Sequence, residues 1–259
     1  MLNPRIIPCL LIHNKGLVKT VKFKDPKYVG DPINAVKIFN EKEVDELIVL
    51  DIDATRNGVE PDYKLIENLA NECRMPLCYG GGIKTPEQAK KIFNLGVEKV
   101  TLSSSVVHNP SLVTELANSV GRQSVVAVLD VKKRMLGSRY DVWTHNATIN
   151  TKIDPIEMAQ ELVSRGVGEI VINSIDQDGV MKGYDHTIIE KIRAVISTPM
   201  TVLGGAGSLV DIGQLIQKHK ILGISAGSLF VFKGVYKAVL INYPKPEEKE
   251  RLISENRGI

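Results

Sequence analysis

The chain repeats itself once. Ile7-Pro-Cys-Leu-Leu11 lines up with Val126-Ala-Val-Leu-Asp130, and Glu46-Leu-Ile-Val-Leu-Asp-Ile-Asp53 with Glu169-Ile-Val-Ile-Asn-Ser-Ile-Asp176. Tyr79-Gly80-Gly81-Gly82-Ile83 lines up with Leu203-Gly204-Gly205-Ala206-Gly207, and Leu102-Ser103-Ser104-Ser105 with Ser225-Ala226-Gly227-Ser228. The matches keep one order and a nearly constant offset, which predicts two similar halves over about residues 1–121 and 122–243. A polar tail covers 244–259.

Each half contains four short apolar runs, the mark of strands buried on both faces. The spacing predicts strands over Ile6–Ile12, Leu47–Ile52, Pro76–Tyr79 and Lys99–Leu102, then Ser124–Val131, Glu169–Asn173, Met200–Leu203 and Ile221–Ser225. Amphipathic runs follow them. Pro32–Asn40, with Asp31 as N-cap, is one, and Val235–Leu240 is expected to be the last. Eight strand–helix units in 259 residues have the size of a (β/α)8 TIM barrel, and a two-fold repeat favours that closed form over a doubly wound sheet. Two long polar stretches interrupt the rhythm. His13–Asp31 reads as a loop, functional or disordered, and Lys132–Thr151 as a hairpin around Gly137 and Asn146. The proline-rich, charged tail after Tyr243 reads as a polar or frayed end.

A net charge of +3 is too small to imply nucleic acid. No apolar run approaches the ~20 residues of a membrane span, and Met1 to Arg5 leads straight into the first strand without a signal-like core. A cytoplasmic enzyme is expected. Cys9, Cys73 and Cys78 are an odd set without metal-ligand spacing, so neither a disulfide framework nor a metal or cofactor site is expected.

In a (β/α)8 barrel the site lies at the C-terminal ends of the strands. Both glycine-rich turns fall there, each joining a strand to a helix, where bare N–H groups can hold an anion. One anion site would use Gly81, Gly82, Ser103 and Ser104. The other would use Gly204, Gly205, Ala226, Gly227 and Ser228. Two such sites on one rim suggest a small substrate with a phosphate at each end. Between them stand Asp51, Asp53, Asp130, Asp176 and Asp178, candidates for acid–base work or for bracing loops. Asp130 ends a continuous apolar run, where a carboxylate costs most. Its counterpart in the first half is Leu11, which cannot transfer a proton.

These motifs resemble the HisF family, the cyclase subunits of imidazole glycerol phosphate synthase. The resemblance runs from Arg5-Ile-Ile-Pro-Cys-Leu through Gly80-Gly-Gly-Ile and Asn173-Ser-Ile-Asp-Gln-Asp-Gly179 to Gly204-Gly-Ala-Gly207 and the serine-glycine run at 225–228. It implies a heterodimer with a HisH-type glutaminase. Ammonia would pass through the barrel to a bis-phosphate ribotide, which is cyclised and split into imidazole glycerol phosphate and an aminoimidazole carboxamide ribotide. Carried over by residue, Asp130 is a catalytic aspartate and Lys19 the lysine of a mobile first loop. Asp51, Asn173, Asp176 and Asp178 contact substrate at the rim. Arg5, Glu46, Lys99 and Glu169 form the charged ring that admits ammonia. All four lie at strand starts with balanced charges, so a salt-bridged barrel floor explains them as well.

The chain also departs from that family. The resemblance would place aspartate at Leu11, asparagine at Ser103, threonine at Asn173 and serine at Leu203. The stretch from Cys9 to Phe23 is similar to a HisF-like branch, the WbuZ type, associated with sugar amidation in surface-polysaccharide synthesis. In that branch the barrel and its glutaminase are thought to make ammonia for a separate sugar amidotransferase. The alternatives are a histidine-pathway cyclase that tolerates Leu11 and a non-catalytic phosphate-binding scaffold.

Overall fold

The computed structural model describes residues 3–219 and 223–257. Met1, the expected start of the last strand at Ile221 and the last two residues of the tail lie outside them. The strands are β1 Arg5–His13, β2 Leu47–Asp51, β3 Leu77–Gly80, β4 Lys99–Leu102, β5 Val125–Lys133, β6 Glu169–Ser174, β7 Met200–Leu203 and β8 Gly223–Ala226. Each pairs in parallel with the next. β8 returns to β1, with Arg5 opposite Gly223 and Pro8 opposite Ala226. Helices between the strands cover the outside, so the fold is the (β/α)8 TIM barrel.

The continuous apolar runs follow from this closure. Strand side chains alternate between two faces, and here both faces are dry. Ile6, Leu10, Leu47 and Val49 pack outward under the helices. Ile7, Cys9, Ile48, Cys78, Val126, Val128, Val171 and Leu203 form a separate cluster that fills the barrel, with Leu11 and Leu50 against it. The helices start where side chains can cap them. Asp31 accepts from the Asn34 N–H at 2.8 Å before Pro32–Glu41. Thr85 and Gln88 form a capping box before Pro86–Asn94.

Four stretches depart from the expectations or refine them. His13–Asp31 is not a loop. It folds back on β1 as an antiparallel hairpin, Gly16–Val21 with Lys24–Gly30. Its turn residues Lys22 and Phe23 take left-handed φ values of 54° and 61° without a glycine. Lys22 N–H is held by the Asp178 carbonyl at 2.9 Å. Lys132–Thr151 is the expected hairpin, with Tyr140–Thr144 running back along β5. Val235–Leu240 is not a helix. Phe232–Lys233 pairs with Ala238–Val239, and the turn uses Gly234 at φ 72°. The tail is not frayed, because Pro246–Arg257 is a helix. Leu252 and Ile253 are packed on the outer core, Lys249 bonds Asp45 at 2.6 Å, and Tyr243 donates to the Ile6 carbonyl at 2.8 Å.

Candidate functional site

At the N-terminal end of the barrel, Arg5, Glu46, Lys99 and Glu169 meet. Arg5 Nη2 lies 2.6 Å from Glu169 Oε1, and Nη1 pairs with Glu46. Lys99 Nζ lies 2.9 Å from Glu46 Oε2 and 3.0 Å from Glu169 Oε2. The four charges therefore close a ring with no net charge. Burial opposes the charge on Arg5 and Lys99, but the two carboxylates outweigh it and hold both above their ordinary values. Burial likewise opposes the charge on Glu169, yet Arg5 and Lys99 hold it below its ordinary value. Two members of this floor escape the sequence reading. Thr201 Oγ1 donates to Glu169 Oε1 at 2.5 Å. Gly223 makes the room, since a Cβ there would stand 1.7 Å from Thr201 Oγ1 and 3.2 Å from Arg5 Nη2. Their only signal is register, because Gly223 lies opposite both Arg5 and Thr201.

Above the floor the interior is apolar. Burial pushes the Cys9 thiol up to about 11 and Cys78 well above its ordinary value, so both stay neutral there.

At the C-terminal end the strands open into one cleft. Gly81, Gly82, Ser103 and Ser104 line one side, and Gly204, Gly205, Ala226, Gly227 and Ser228 line another. The glycines are required by close approach. A Cβ on Gly81 would lie 2.6 Å from the Asp51 carbonyl, and one on Gly205 2.2 Å from the Gly183 carbonyl, both at positive φ. Lys19 is buried, bonds the Cys9 carbonyl, and sits where a Cβ on Gly227 would meet its Nζ at 2.8 Å. Its cation therefore stands against the second glycine loop, and burial lowers its pKa. Crystals soaked in phosphate should show density near Gly82/Ser104 and near Gly205/Gly227. A map empty at both loops would end the two-phosphate expectation.

The carboxylates divide. Asp130, Asp51 and Asp178 line the cleft with Leu11 and Asn173. Asp130 accepts from Asn173 Nδ2 at 2.8 Å and from Ser103 Oγ at 3.1 Å. Burial outweighs these bonds and pushes its carboxyl up to about 7. A group that titrates there can give or take a proton at neutral pH. Asp178 accepts from Thr20 Oγ1 at 2.7 Å and the Phe23 N–H at 3.0 Å, tying the β1 hairpin to the rim, and burial raises its pKa. Asp51 accepts from the N–H groups of Asp53 and Ala54 at 2.8 and 3.1 Å, and burial raises it too. Asp53 and Asp176 brace loops. Asp53 bonds His13 Nδ1 and the Asn14 N–H, each at 2.7 Å. Asp176 accepts the Lys133 N–H at 3.0 Å and is not among the residues lining the cleft.

His145 and Asn146 also line the cleft, which the sequence marks only as a hairpin turn. Asn146 Nδ2 reaches across to the Ile52 carbonyl at 2.6 Å, and the His145 N–H donates to Ser104 Oγ at 3.2 Å. Left-handed φ values at His145, Asn146 and Ala147 make that crossing possible.

The family model described as histidine biosynthesis protein matches residues 5–237. The chain is 62% identical over 253 residues to a Vibrio vulnificus protein provisionally named imidazole glycerol phosphate synthase subunit hisF3, covering 98% of this chain and 97% of that one. It is 58% identical over 252 residues to a Leptospira interrogans protein provisionally named a HisF subunit, covering 97% and 99%. It is 38% identical over 259 residues to the imidazole glycerol phosphate synthase subunit HisF of Exiguobacterium sibiricum, covering 100% and 99%. No helix among the described residues is long and apolar enough to cross a membrane. With matches that run almost end to end, the chain belongs to the HisF family of imidazole glycerol phosphate synthase subunits.

Proposed function

We propose that this chain is the ammonia-receiving subunit of a glutamine amidotransferase complex that serves the amidation of a surface-polysaccharide sugar. The observation that carries the reading is the pairing of Asp130 with Leu11 in one cleft. A cyclase would use two acids there, and this chain has one at the central position. Asp51 and Asp178 stand at other positions of the rim, where one oxygen of each already accepts two N–H or O–H groups. Delivery of ammonia needs less. It needs a partner that makes ammonia, a floor that can open and an interior that is dry. Neutral ammonia crosses an apolar interior, whereas ammonium would have to shed its hydration there. The ring of Arg5, Glu46, Lys99 and Glu169 suits a docking face for a HisH-type glutaminase. Lys99 suits the moving part, since its flexible stem carries a single-point charge.

The relative named plainly as HisF supports a second reading, a histidine-pathway cyclase acting on a bis-phosphate ribotide. Expression with the glutaminase of the same cell tests the first. The two should co-purify. Lys99→Ala leaves Glu46 and Glu169 to share Arg5, so glutamine hydrolysis should continue while less of its ammonia reaches the acceptor. Failure to co-purify with any glutaminase, or unchanged coupling in Lys99→Ala, would remove the reading.

A further inference from the structure

The cleft contains a buried acceptor with nothing to accept. Asn173 is 5% exposed, and its Nδ2 donates to Asp130 at 2.8 Å. The ionised form of Asp130, which has no proton to give, requires that orientation of the amide, with the NH2 edge toward the carboxylate. Oδ1 therefore points away from Asp130. It is buried without a hydrogen-bond partner, 3.3 Å from where a Cβ on Gly204 would stand. Across the strand pair the residue opposite Asn173 is Leu203, which has no donor. A buried unpaired acceptor costs about 1–3 kcal/mol, and a serine at 203 could remove the cost. Such a group calls for an explanation.

The location supplies one. Val128, Val171 and Leu203 of the barrel interior lie next to Asn173 and Asp130 in strand register or two residues away. Two acceptors, the Asp130 carboxylate and Asn173 Oδ1, thus stand on neighbouring strands where the apolar interior opens into the cleft. A ligand arriving through that interior must be small and uncharged. To satisfy both acceptors it must carry at least two donors. Ammonia, with three N–H groups, meets both demands.

We infer that Asn173 catches ammonia at the top of the barrel, holding Asp130 through its amide nitrogen and the ammonia through its carboxamide oxygen. The inference rests on the proposed passage of ammonia through the barrel. When Asp130 is protonated, its O–H proton passes to the ammonia lone pair. The products are an ammonium ion and a carboxylate held as a pair, with Asn173 Oδ1 accepting a second N–H. Asn173 positions Asp130 and binds the nitrogen, and no bond to it is made or broken.

The test is a titration of Asp130 in the full chain, followed by the NMR signal of ¹³C-labelled aspartate carboxyls and assigned with Asp130→Asn. In the wild-type chain, ammonium chloride should lower the Asp130 midpoint, because ammonium pairs only with the ionised form. The drop should reach about one pH unit when ammonium stands tenfold above its dissociation constant. Tetramethylammonium chloride, a cation without N–H groups, should leave the midpoint in place at equal concentration. Asn173→Thr keeps a hydroxyl donor for Asp130 but removes the carboxamide oxygen, and it should lose most of the ammonium response. Asp178 and the Cys9 thiol, the other titratable groups that act on Asp130, are the same in every arm. No ammonium-specific drop in wild type, or an equal drop in Asn173→Thr, overturns the inference. The wild-type comparison needs no variant to fold. A chain that couples to a glutaminase without the ammonium response sinks the inference and leaves the proposed function standing. The response without a glutaminase supports the site and sinks the delivery.

Discussion

Purified protein given the bis-phosphate ribotide and ammonium salt should consume the substrate about 10²–10⁴-fold more slowly than an ordinary HisF, the range a missing general acid–base group removes. The two glycine loops proposed to hold phosphate, Lys19 and Asp130 all line the cleft, so substrate affinity should survive better than turnover. Leu11→Asp should restore part of the rate. Leu11 sits on the interior cluster and lines the cleft, opposite Leu50 and Val18 in the sheet. A carboxyl there is half in apolar surroundings and shares the cleft with Asp130. Burial and like charge both raise its pKa, so the recovered activity should have its optimum where one of the two acids is protonated. Recovery should stay incomplete, because Ser103, Asn173 and Leu203 also differ from the residues the family resemblance implies. The substitution should cost stability as well, about 1–3 kcal/mol for a polar group placed against the cluster. The assay follows loss of substrate in wild type and in Leu11→Asp beside an ordinary HisF. Wild-type turnover equal to that of the ordinary enzyme would sink sugar amidation as the first reading and put the histidine pathway in its place.

The barrel was legible because its strands are buried on both sides and its repeat pairs each loop with a counterpart. The glycine loops were legible for a related reason. Gly81 and Gly205 occupy positions where any Cβ would strike a carbonyl, so the chain shows glycine where the backbone demands it. The hairpins were harder. Lys22 and Phe23 make a left-handed turn without the glycine or asparagine that usually announces one. Val235 and Val239 have helical spacing, yet both are exposed, at 95% and 48%, so the spacing reports no buried face. The tail helix is mostly charged, and its few packed residues, Leu252 and Ile253, carry little periodic signal. Among the carboxylates the sequence could not separate Asp176 from Asp178. The turn between them ends at Gly179, φ 65°, pressed against the Thr20 carbonyl, which turns Asp178 into the cleft while Asp176 is taken by Lys133 N–H. That outcome depends on a hairpin more than 150 residues away in the chain. Local pattern cannot contain it.

Asp130→Asn should stabilise the protein in alkaline solution and leave its stability nearly unchanged in acid. Burial is the main cause that pushes the Asp130 carboxyl in the fold from its ordinary value of 3.8 up to about 7. The folded state therefore favours the protonated form. Its contribution to stability is fully present below about pH 4, shrinks as pH rises through 7, and is gone above that. At pH 8.5 the folded chain holds a carboxylate that its surroundings disfavour. A gap of about three pH units corresponds to about 4 kcal/mol as a ceiling, and relaxation around the charge brings the expected cost nearer 2. An amide of the same shape avoids that cost and keeps the local bonds. Its oxygen can still accept from Asn173 Nδ2, and Ser103 can turn its hydroxyl from donor to acceptor. For a chain of this size the gain is about 4–8 °C in Tm at pH 8.5. At pH 3, where Asp130 is neutral in the folded and the unfolded chain alike, it should fall to a degree or so. Asp51 and Asp178 are also raised by burial, but they remain in both proteins and cancel in the comparison. Thermal unfolding of wild type and Asp130→Asn at the two pH values decides the matter. An equal shift at both would mean that Asp130 is not the strained group. A gain confined to high pH, joined to loss of whatever proton transfer the cleft performs, identifies Asp130 as a residue kept at the expense of stability.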